Sequence, residues 1–130
     1  MRSEIENVFT LSNVWLSYPG SPVLRGLSLE VKKGEVFVVI GPSGEGKSSL
    51  LKLMAGLIKA DQGQVEFCGC VLHQLSRKNR SLIIRRMGMT FQKSGLFDSL
   101  SCADNLRFPL RELTQLSSRE IEHRVDQLLS

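Results

Sequence analysis

Cysteine is scarce in this chain, and nothing else in the sequence suggests a disulfide framework. The 130 residues include three cysteines, Cys68, Cys70 and Cys102, and an odd number without signs of secretion favours free thiols. Cys68 and Cys70 also lack the second ligand pair of a structural zinc site. We therefore expect no disulfide and no zinc site, and we expect these cysteines to be small, buried, apolar side chains.

Long apolar runs are also absent, and the stretch from Val36 to Ile40 is typical of those present. A membrane-spanning helix needs about 20 consecutive apolar residues, so none is expected. The N-terminus carries Glu4, Glu6 and Asn7 where a signal peptide has its apolar segment. These absences predict a cytoplasmic protein with no membrane span of its own.

Aromatic residues make up only 6% of the chain, and none lies in its one strongly basic segment. The basic excess behind the net charge of +4 is concentrated in Arg77, Lys78, Arg80, Arg85 and Arg86. Such a segment is either a patch for phosphate, nucleic acid or lipid headgroups or, more often, a solvated helix face. Single-stranded nucleic acid is bound by stacking on aromatic side chains, so we expect no nucleic-acid partner.

Hydrophobic periodicity predicts strands in the first part of the chain. Residues 8–18 are rich in β-branched and aromatic side chains, and the alternation from Leu27 to Val31 is typical of a half-buried strand. The continuous apolar run from Val36 to Ile40 predicts a strand covered on both faces, as in a parallel sheet. Shorter strands are expected at residues 65–67, 71–72 and 87–91.

The period changes to that of a helix after Gly46, and further helices are expected later in the chain. Residues 76–86 are predicted to be helical. Ser101 and Asp104 form one candidate capping box, and Ser117 and Glu120 form a better one, which precedes an amphipathic helix running to the end of the sequence.

The most informative stretch fits the pattern G-x-x-x-x-G-K-S/T at every fixed position, between a predicted strand and a predicted helix. We call it the phosphate loop, and it comprises Gly41, Pro42, Ser43, Gly44, Glu45, Gly46, Lys47 and Ser48. Glycines allow the backbone to wrap around a phosphate with its N–H groups pointing inward, and the following helix offers its positive end. Lys47 is expected to reach the β- and γ-phosphates, and Ser48 to bind Mg²⁺.

Glu45 is the unusual member of the phosphate loop, because a carboxylate held close to phosphate repels it. We interpret its side chain as pointing to solvent.

With these motifs in place, the sequence resembles the ATP-binding subunits of ABC transporters over nearly its whole length. The resemblance includes residues 23–29, 50–63 and 89–92 in addition to the phosphate loop. Residues 95–100 and 105–110 are most similar to the ATPases of bacterial Mla-type lipid-transport systems. The fold implied is α/β of the P-loop NTPase class, a mixed sheet with an N-terminal antiparallel β part. Residues 1–130 would be the N-terminal portion of one nucleotide-binding domain, with the sheet incomplete.

The resemblance also implies roles for single residues. Tyr18 lies where the family has an aromatic that stacks on adenine, and Ser49 lies near the α-phosphate. Gln92 would contact Mg²⁺ or the attacking water and would, with Lys47, be the catalytic contribution of this stretch. The implied cofactors are ATP and Mg²⁺. The implied partners are a membrane permease, which would hold the chain at the inner face of the cell membrane, and a second copy in a head-to-tail homodimer.

The sequence departs from the family in lacking a signature loop (L-S-G-G-Q), an apolar run ending in Asp-Glu, and a switch histidine. In the family these elements follow the helix that begins near Ser117. We therefore expect the 130 residues alone to hydrolyse ATP no faster than a Lys47→Ala control.

Four functions remain open from the sequence. They are a transport ATPase subunit, a non-transport ABC ATPase, another P-loop enzyme such as a GTPase or small-molecule kinase, and an ATP-binding module without turnover. No Asn-Lys-x-Asp guanine-binding motif is present, which argues against the GTPase.

Overall fold

The computed structural model describes residues 7–92 and 95–130, which divide into two compact units on either side of the Met89–Thr90 bond. The first unit contains a sheet, two helices and a short 3₁₀ turn. Its elements are β1 (Asn7–Tyr18), β2 (Ser21–Lys32), α1 (Lys47–Met54), β3 (Gln62–Phe67), β4 (Cys70–Val71), the 3₁₀ turn Leu72–Gln74 and α2 (Arg77–Ile84). The second unit contains α3 (Cys102–Leu113) and α4 (Ser118–Leu129).

The sheet of the first unit has the strand order β2-β1-β3-β4, and all three neighbouring pairs are antiparallel. β1 and β2 form a hairpin through Pro19 and Gly20, where the φ of 79° at Gly20 suits a residue without a Cβ. The predicted N-terminal antiparallel part is therefore confirmed, and both of its strands are longer than the periodicity indicated.

A β-bulge interrupts β1 at Asn13. Leu11 pairs with Leu29 and Val14 with Leu27, so β1 has one residue more than its partner at this point. Asn13 has a φ of 48°, its backbone N–H donates to Ser28 Oγ at 2.9 Å, and its Oδ1 accepts from Trp15 Nε1 at 3.0 Å. These bonds hold a left-handed residue in the middle of a strand.

The core of the first unit lies between the sheet and α1. Helical spacing places Leu50, Leu53 and Met54 on one face of α1, and all three are buried against a cluster that includes Leu11 and Val14. The helix predicted after Gly46 is thus confirmed. Its N-terminus, which carries Lys47, is fixed on the sheet by this apolar face.

The strands predicted at residues 36–40 and 87–91 are wrong. Neither stretch is in a strand, and Val36, Val38 and Ile40 are 89%, 68% and 89% exposed. An apolar run becomes a buried strand only when neighbouring strands complete its hydrogen bonds and helices cover it. Within the described residues, no strand pairs with residues 36–40.

Two smaller expectations also need correction. Cys68 and Cys70 are half-buried and Cys102 is exposed, so none is fully buried, although Cys68 packs against the core of the first unit. All three are free thiols. The short strand expected at residues 71–72 is β4, one residue earlier. The helix predicted at residues 76–86 is α2, with the side chain of Ser76 accepting from Asn79 N at its N-terminus.

In the second unit, both predicted N-termini are confirmed. Ser101 accepts from Asp104 N at 3.1 Å at the start of α3, and Ser117 and Glu120 form a complete capping box at the start of α4. No helix among residues 7–92 and 95–130 has the length and apolar character needed to cross a membrane.

One arginine joins α3 to α4. The guanidinium of Arg107 donates to both carboxylate oxygens of Glu122, at 2.8 and 2.7 Å, and to Asp104 at 2.9 Å. The hydrogen bonds from Arg107 lower the pKa of Glu122. The hydrogen bond from Ser101 lowers the pKa of Asp104 the most, and the hydrogen bond from Arg107 lowers it further.

This arrangement predicts acid sensitivity of the α3–α4 pair. Because the folded-state pKa values of both carboxyls lie below their unfolded values, the stabilisation is complete above the unfolded values of about 4 and is lost as pH falls through the folded ones. Arg107→Gln should raise the pH at which helical circular dichroism is lost. Arg119→Gln, which removes an exposed charge from α4 that lowers neither of these two pKa values, is the control. Equal midpoints for wild type and Arg107→Gln would contradict the role of Arg107.

Candidate functional site

The phosphate loop follows the unpaired stretch 36–40 and ends in α1. Gly44 and Gly46 have φ angles of 85° and 89°, which L side chains rarely adopt. A Cβ at Gly44 would meet no atom within 4 Å, whereas a Cβ at Gly46 would collide with the side chain of Val23. The loop is therefore open to solvent at Gly44, and at Gly46 it packs on β2.

The N-terminus of α1 has donors but no acceptor of its own. Gly46 is the N-cap residue and offers no side chain to the first N–H groups, and the first turn carries no acidic residue. The hydrogen bond from Leu50 N to Gly46 O, at 2.8 Å, begins the helical pattern. An anion at this end would supply the missing acceptor and would lie at the positive end of the helix dipole.

Lys47 extends back over the loop. Its Nζ donates to the carbonyl of Gly41 at 2.6 Å and also to the carbonyl of Pro42. The positive charge is therefore held within the curve formed by the residues that the motif predicts to contact phosphate. Pro42 and Ser43 are exposed at the outer part of the curve.

Ser48 is exposed in the first turn of α1, directly after Lys47. Mg²⁺ in nucleotide sites keeps several waters and takes its remaining ligands from phosphates and a few protein oxygens. Within the described ranges, no group of three or more His, Cys, Asp and Glu is placed to hold a metal ion. The position of Ser48 suits a magnesium ion that the nucleotide phosphates hold for the most part. The Ser48 hydroxyl would supply one further ligand to that ion.

Tyr18 and Ser49 lie together although they are far apart in sequence. The Tyr18 hydroxyl and Ser49 Oγ are 3.2 Å apart, and Tyr18 is 45% exposed. The structure thus connects the end of β1 to the first turn of α1, and nearly half of the Tyr18 surface stays exposed next to Ser49.

Asp61 supports this end of β1, and sequence reasoning missed it. Its Oδ2 accepts from Ser17 N at 2.7 Å, and its own N–H donates to Trp15 O at 2.9 Å. A short acidic side chain before a glycine-containing strand is a common turn signal, and nothing local indicates its distant partner.

An open cleft lies beside the loop, and its lining includes Leu24, Leu27 and Leu50 together with Glu45 and Lys47. Glu45 is exposed, and its Oε2 would be 3.8 Å from a Cβ placed on Gly41. The carboxylate therefore lies beside the first glycine of the loop, in contact with solvent.

Glu45→Ser should change ATP affinity by less than about fivefold, because solvent screens an exposed charge pair to roughly 1 kcal/mol or less. Titration calorimetry with wild type, Glu45→Ser and the isosteric Glu45→Gln would measure this. A gain of more than about tenfold in both variants would show that the carboxylate faces the phosphates.

Gln92 lies in the other unit, at an exposed turn. The two residues that follow it are outside the described part of the chain. The unit that holds Gln92 also contains an exposed aromatic pair, Phe97 and Phe108, whose ring centroids are 5.1 Å apart. The role of Gln92 in metal binding and catalysis stays a prediction.

Comparison with known proteins identifies relatives for almost the whole chain. The family model described as "ABC transporter" matches residues 24–130. The "Intermembrane phospholipid transport system ATP-binding protein MlaF" of Haemophilus influenzae is 38% identical over 111 residues, which are 85% of this chain and 42% of that protein. The protein of the same name from Escherichia coli K12 is 34% identical over 116 residues, covering 89% of this chain and 43% of that protein.

A solved structure has the same fold. A dimeric, post-hydrolysis state of the ATP-binding cassette MJ0796, bound to ADP and Pi, superimposes with a TM-score of 0.81 at 28% identity and covers 92% of this chain and 54% of that one. The chain spans about two fifths of the length of the two curated relatives. The match to the family model, the sequence identity and the shared fold show that this chain belongs to the ABC transporter family and has the P-loop NTPase fold of its ATP-binding cassettes.

Proposed function

We propose that this chain is the phosphate-binding part of an ATP-binding subunit that couples ATP hydrolysis to membrane transport. The proposed class of transported substrate is phospholipid. The observation that carries the proposal is the N-terminus of α1. It combines uncapped helix N–H groups, two left-handed glycines and the ammonium of Lys47 within one short curve. The lipid class rests on the MlaF relatives.

Each site residue has a proposed role in that function. The backbone of Gly41, Gly44 and Gly46 would surround the phosphates, and Lys47 would bind the β- and γ-phosphates. Ser48 would hold Mg²⁺. In the outer part of the loop, Pro42, Ser43 and Glu45 would form its solvent side.

Three further side chains would complete the site. Tyr18 would stack on adenine, and its hydroxyl would keep Ser49 in place near the α-phosphate, since those two oxygens are 3.2 Å apart. Gln92 would contact the metal or the attacking water.

The proposed partners follow from the family. A membrane permease would hold the subunit at the cytoplasmic face of the membrane, and a second copy would complete the site head to tail. The MJ0796 cassette is dimeric, which supports the second partner. Co-purification of this chain with the permease of a lipid-transport system would support the transport function. Failure of the two proteins to co-purify would favour a non-transport ABC ATPase.

A second candidate is an ATP-binding module without turnover. It is favoured by the absence from the 130 residues of a signature loop, an Asp-Glu run and a switch histidine. These 130 residues then supply no general base to activate the attacking water and no second protein ligand for Mg²⁺.

We therefore expect ATP hydrolysis by the chain to be no faster than hydrolysis by its Lys47→Ala variant. A coupled phosphate-release assay measures both, and a full-length cassette of the family serves as the positive control. Turnover that Lys47→Ala abolishes would contradict the second candidate and would show that the chain completes a hydrolytic site.

A further inference from the structure

Asp61 bonds to the end of β1 through both its backbone and its side chain. Its N–H donates to Trp15 O at 2.9 Å, and its Oδ2 accepts from Ser17 N at 2.7 Å. β3 begins at Gln62, opposite Trp15, so it does not reach as far along β1 as Ser17. The Asp61 carboxylate therefore takes the place of the next backbone acceptor in the β1–β3 ladder.

Tyr18, the residue after Ser17, is also held at the far end of its ring. Its hydroxyl lies 3.2 Å from Ser49 Oγ, in the first turn of α1. Tyr18 is the last residue of β1 and is nearly half exposed, and strand ends with few buried contacts open readily. The position of the ring therefore depends on two anchors, which are the Asp61 carboxylate on the backbone and Ser49 on the hydroxyl.

The Asp61 anchor acts on the end of β1 and leaves the phosphate loop in place. The loop ends in α1, whose apolar face is buried against the sheet, and a Cβ at Gly46 would meet Val23 of β2. Neither of these contacts involves Asp61. Loss of the bond from Ser17 N to the carboxylate would free the end of β1 and, with it, the Tyr18 ring. An effect of Asp61 on nucleotide binding should therefore concern the base and not the phosphates.

We propose that Asp61 is a positioning residue for adenine recognition, which holds the end of β1 so that the ring of Tyr18 meets the base. The inference rests on the proposed function, in which Tyr18 stacks on adenine. It assigns to Asp61 a part of the preference of the site for ATP over the phosphate chain alone.

The test compares the dissociation constants of ATP and tripolyphosphate, both with Mg²⁺, by titration calorimetry. The two ligands share three linked phosphates and differ in the nucleoside, so the ratio of their constants measures the contribution of the nucleoside. Stacking of a base on an aromatic side chain supports a loss of about tenfold in this ratio for Tyr18→Leu, and we expect about three- to tenfold for Asp61→Ala. A general change in charge or in the folded fraction alters both constants together and largely cancels from the ratio.

Asp61→Asn removes the same charge as Asp61→Ala but keeps an oxygen that can accept from Ser17 N. It should therefore keep most of the wild-type ratio. Glu30→Ala, which removes an exposed carboxylate from β2, is the matched control and should leave the ratio unchanged. Circular dichroism checks the folding of each variant. If Asp61→Ala does not fold, Asp61→Glu, which displaces the carboxylate by one methylene group, should lower the ratio in its place.

The outcomes separate this inference from the function on which it rests. If wild type binds ATP no more tightly than tripolyphosphate, or if Tyr18→Leu keeps the wild-type ratio, Tyr18 does not stack on the base and both proposals are wrong. If Tyr18→Leu lowers the ratio while Asp61→Ala keeps it, the role of Asp61 alone is overturned. Equal losses in Asp61→Ala and Asp61→Asn would also overturn it, because the charge and not the hydrogen bond would then be responsible.

Discussion

Lys47→Ala should weaken ATP binding by roughly 100-fold, which makes it the largest functional effect expected from a single substitution in this chain. The ammonium is already held over the loop by the carbonyls of Gly41 and Pro42. A hydrogen bond to a charged group contributes about 1.5–3 kcal/mol, and the upper part of that range corresponds to about two orders of magnitude in affinity.

Lys52→Ala is the matched control for charge, since Lys52 is an exposed lysine in the last turn of the same helix. Titration calorimetry with ATP and Mg²⁺ should show near wild-type affinity for this variant, because it keeps the loop intact. If Lys52→Ala and Lys47→Ala lose the same affinity, general charge rather than the loop binds the nucleotide. If neither loses affinity, the phosphate loop is not the nucleotide site.

Gly63→Ala should lower the free energy of unfolding by about 3 kcal/mol, through left-handed backbone strain and overpacking together. Gly63 lies in β3 with a φ of 85°, opposite the bulge of β1. A Cβ at this position would overlap the backbone of Asn13 and come within 2.6 Å of Ser12 O. Because these are backbone atoms of the paired strand, the overlap is relieved only by separating β1 from β3.

Gly20→Ala separates the two contributions. Gly20 has a similar φ of 79°, but a Cβ there would meet no atom within 4 Å. We expect it to cost about 1 kcal/mol from backbone strain alone. Urea denaturation of both variants measures the difference, and equal midpoints would show that the contact with Asn13 carries no energy.

Local features of this fold were predictable from sequence. The phosphate loop is a contiguous pattern whose glycines and lysine define their own geometry, and the capping box at Ser117 needs only residues three positions apart. The bulge at Asn13, the contact between Tyr18 and Ser49 and the support by Asp61 were not predictable, because each depends on residues brought together by strand pairing.

The stretch 36–40 shows a different limit. Its composition is that of a buried strand, but composition describes what a segment can cover and pair with, and the partner decides whether it does. In the described residues, the neighbours of this stretch form an antiparallel sheet to which it does not pair, so its side chains are exposed.

The extra residue in β1 has a consequence for the rim of the site. Before Asn13 the inward side chain of β1 is odd-numbered, at Leu11, and after it the inward positions are even-numbered, at Val14 and Leu16. Tyr18 follows Leu16 by two, so it shares the parity that the insertion creates. Without the extra residue at the bulge, the inward position at this end of β1 would be taken by the residue next to Tyr18 in sequence. The bulge at Asn13 therefore determines which residue of β1 places its side chain beside the phosphate loop. Asn13 lies five positions before Tyr18 and would not contact the nucleotide.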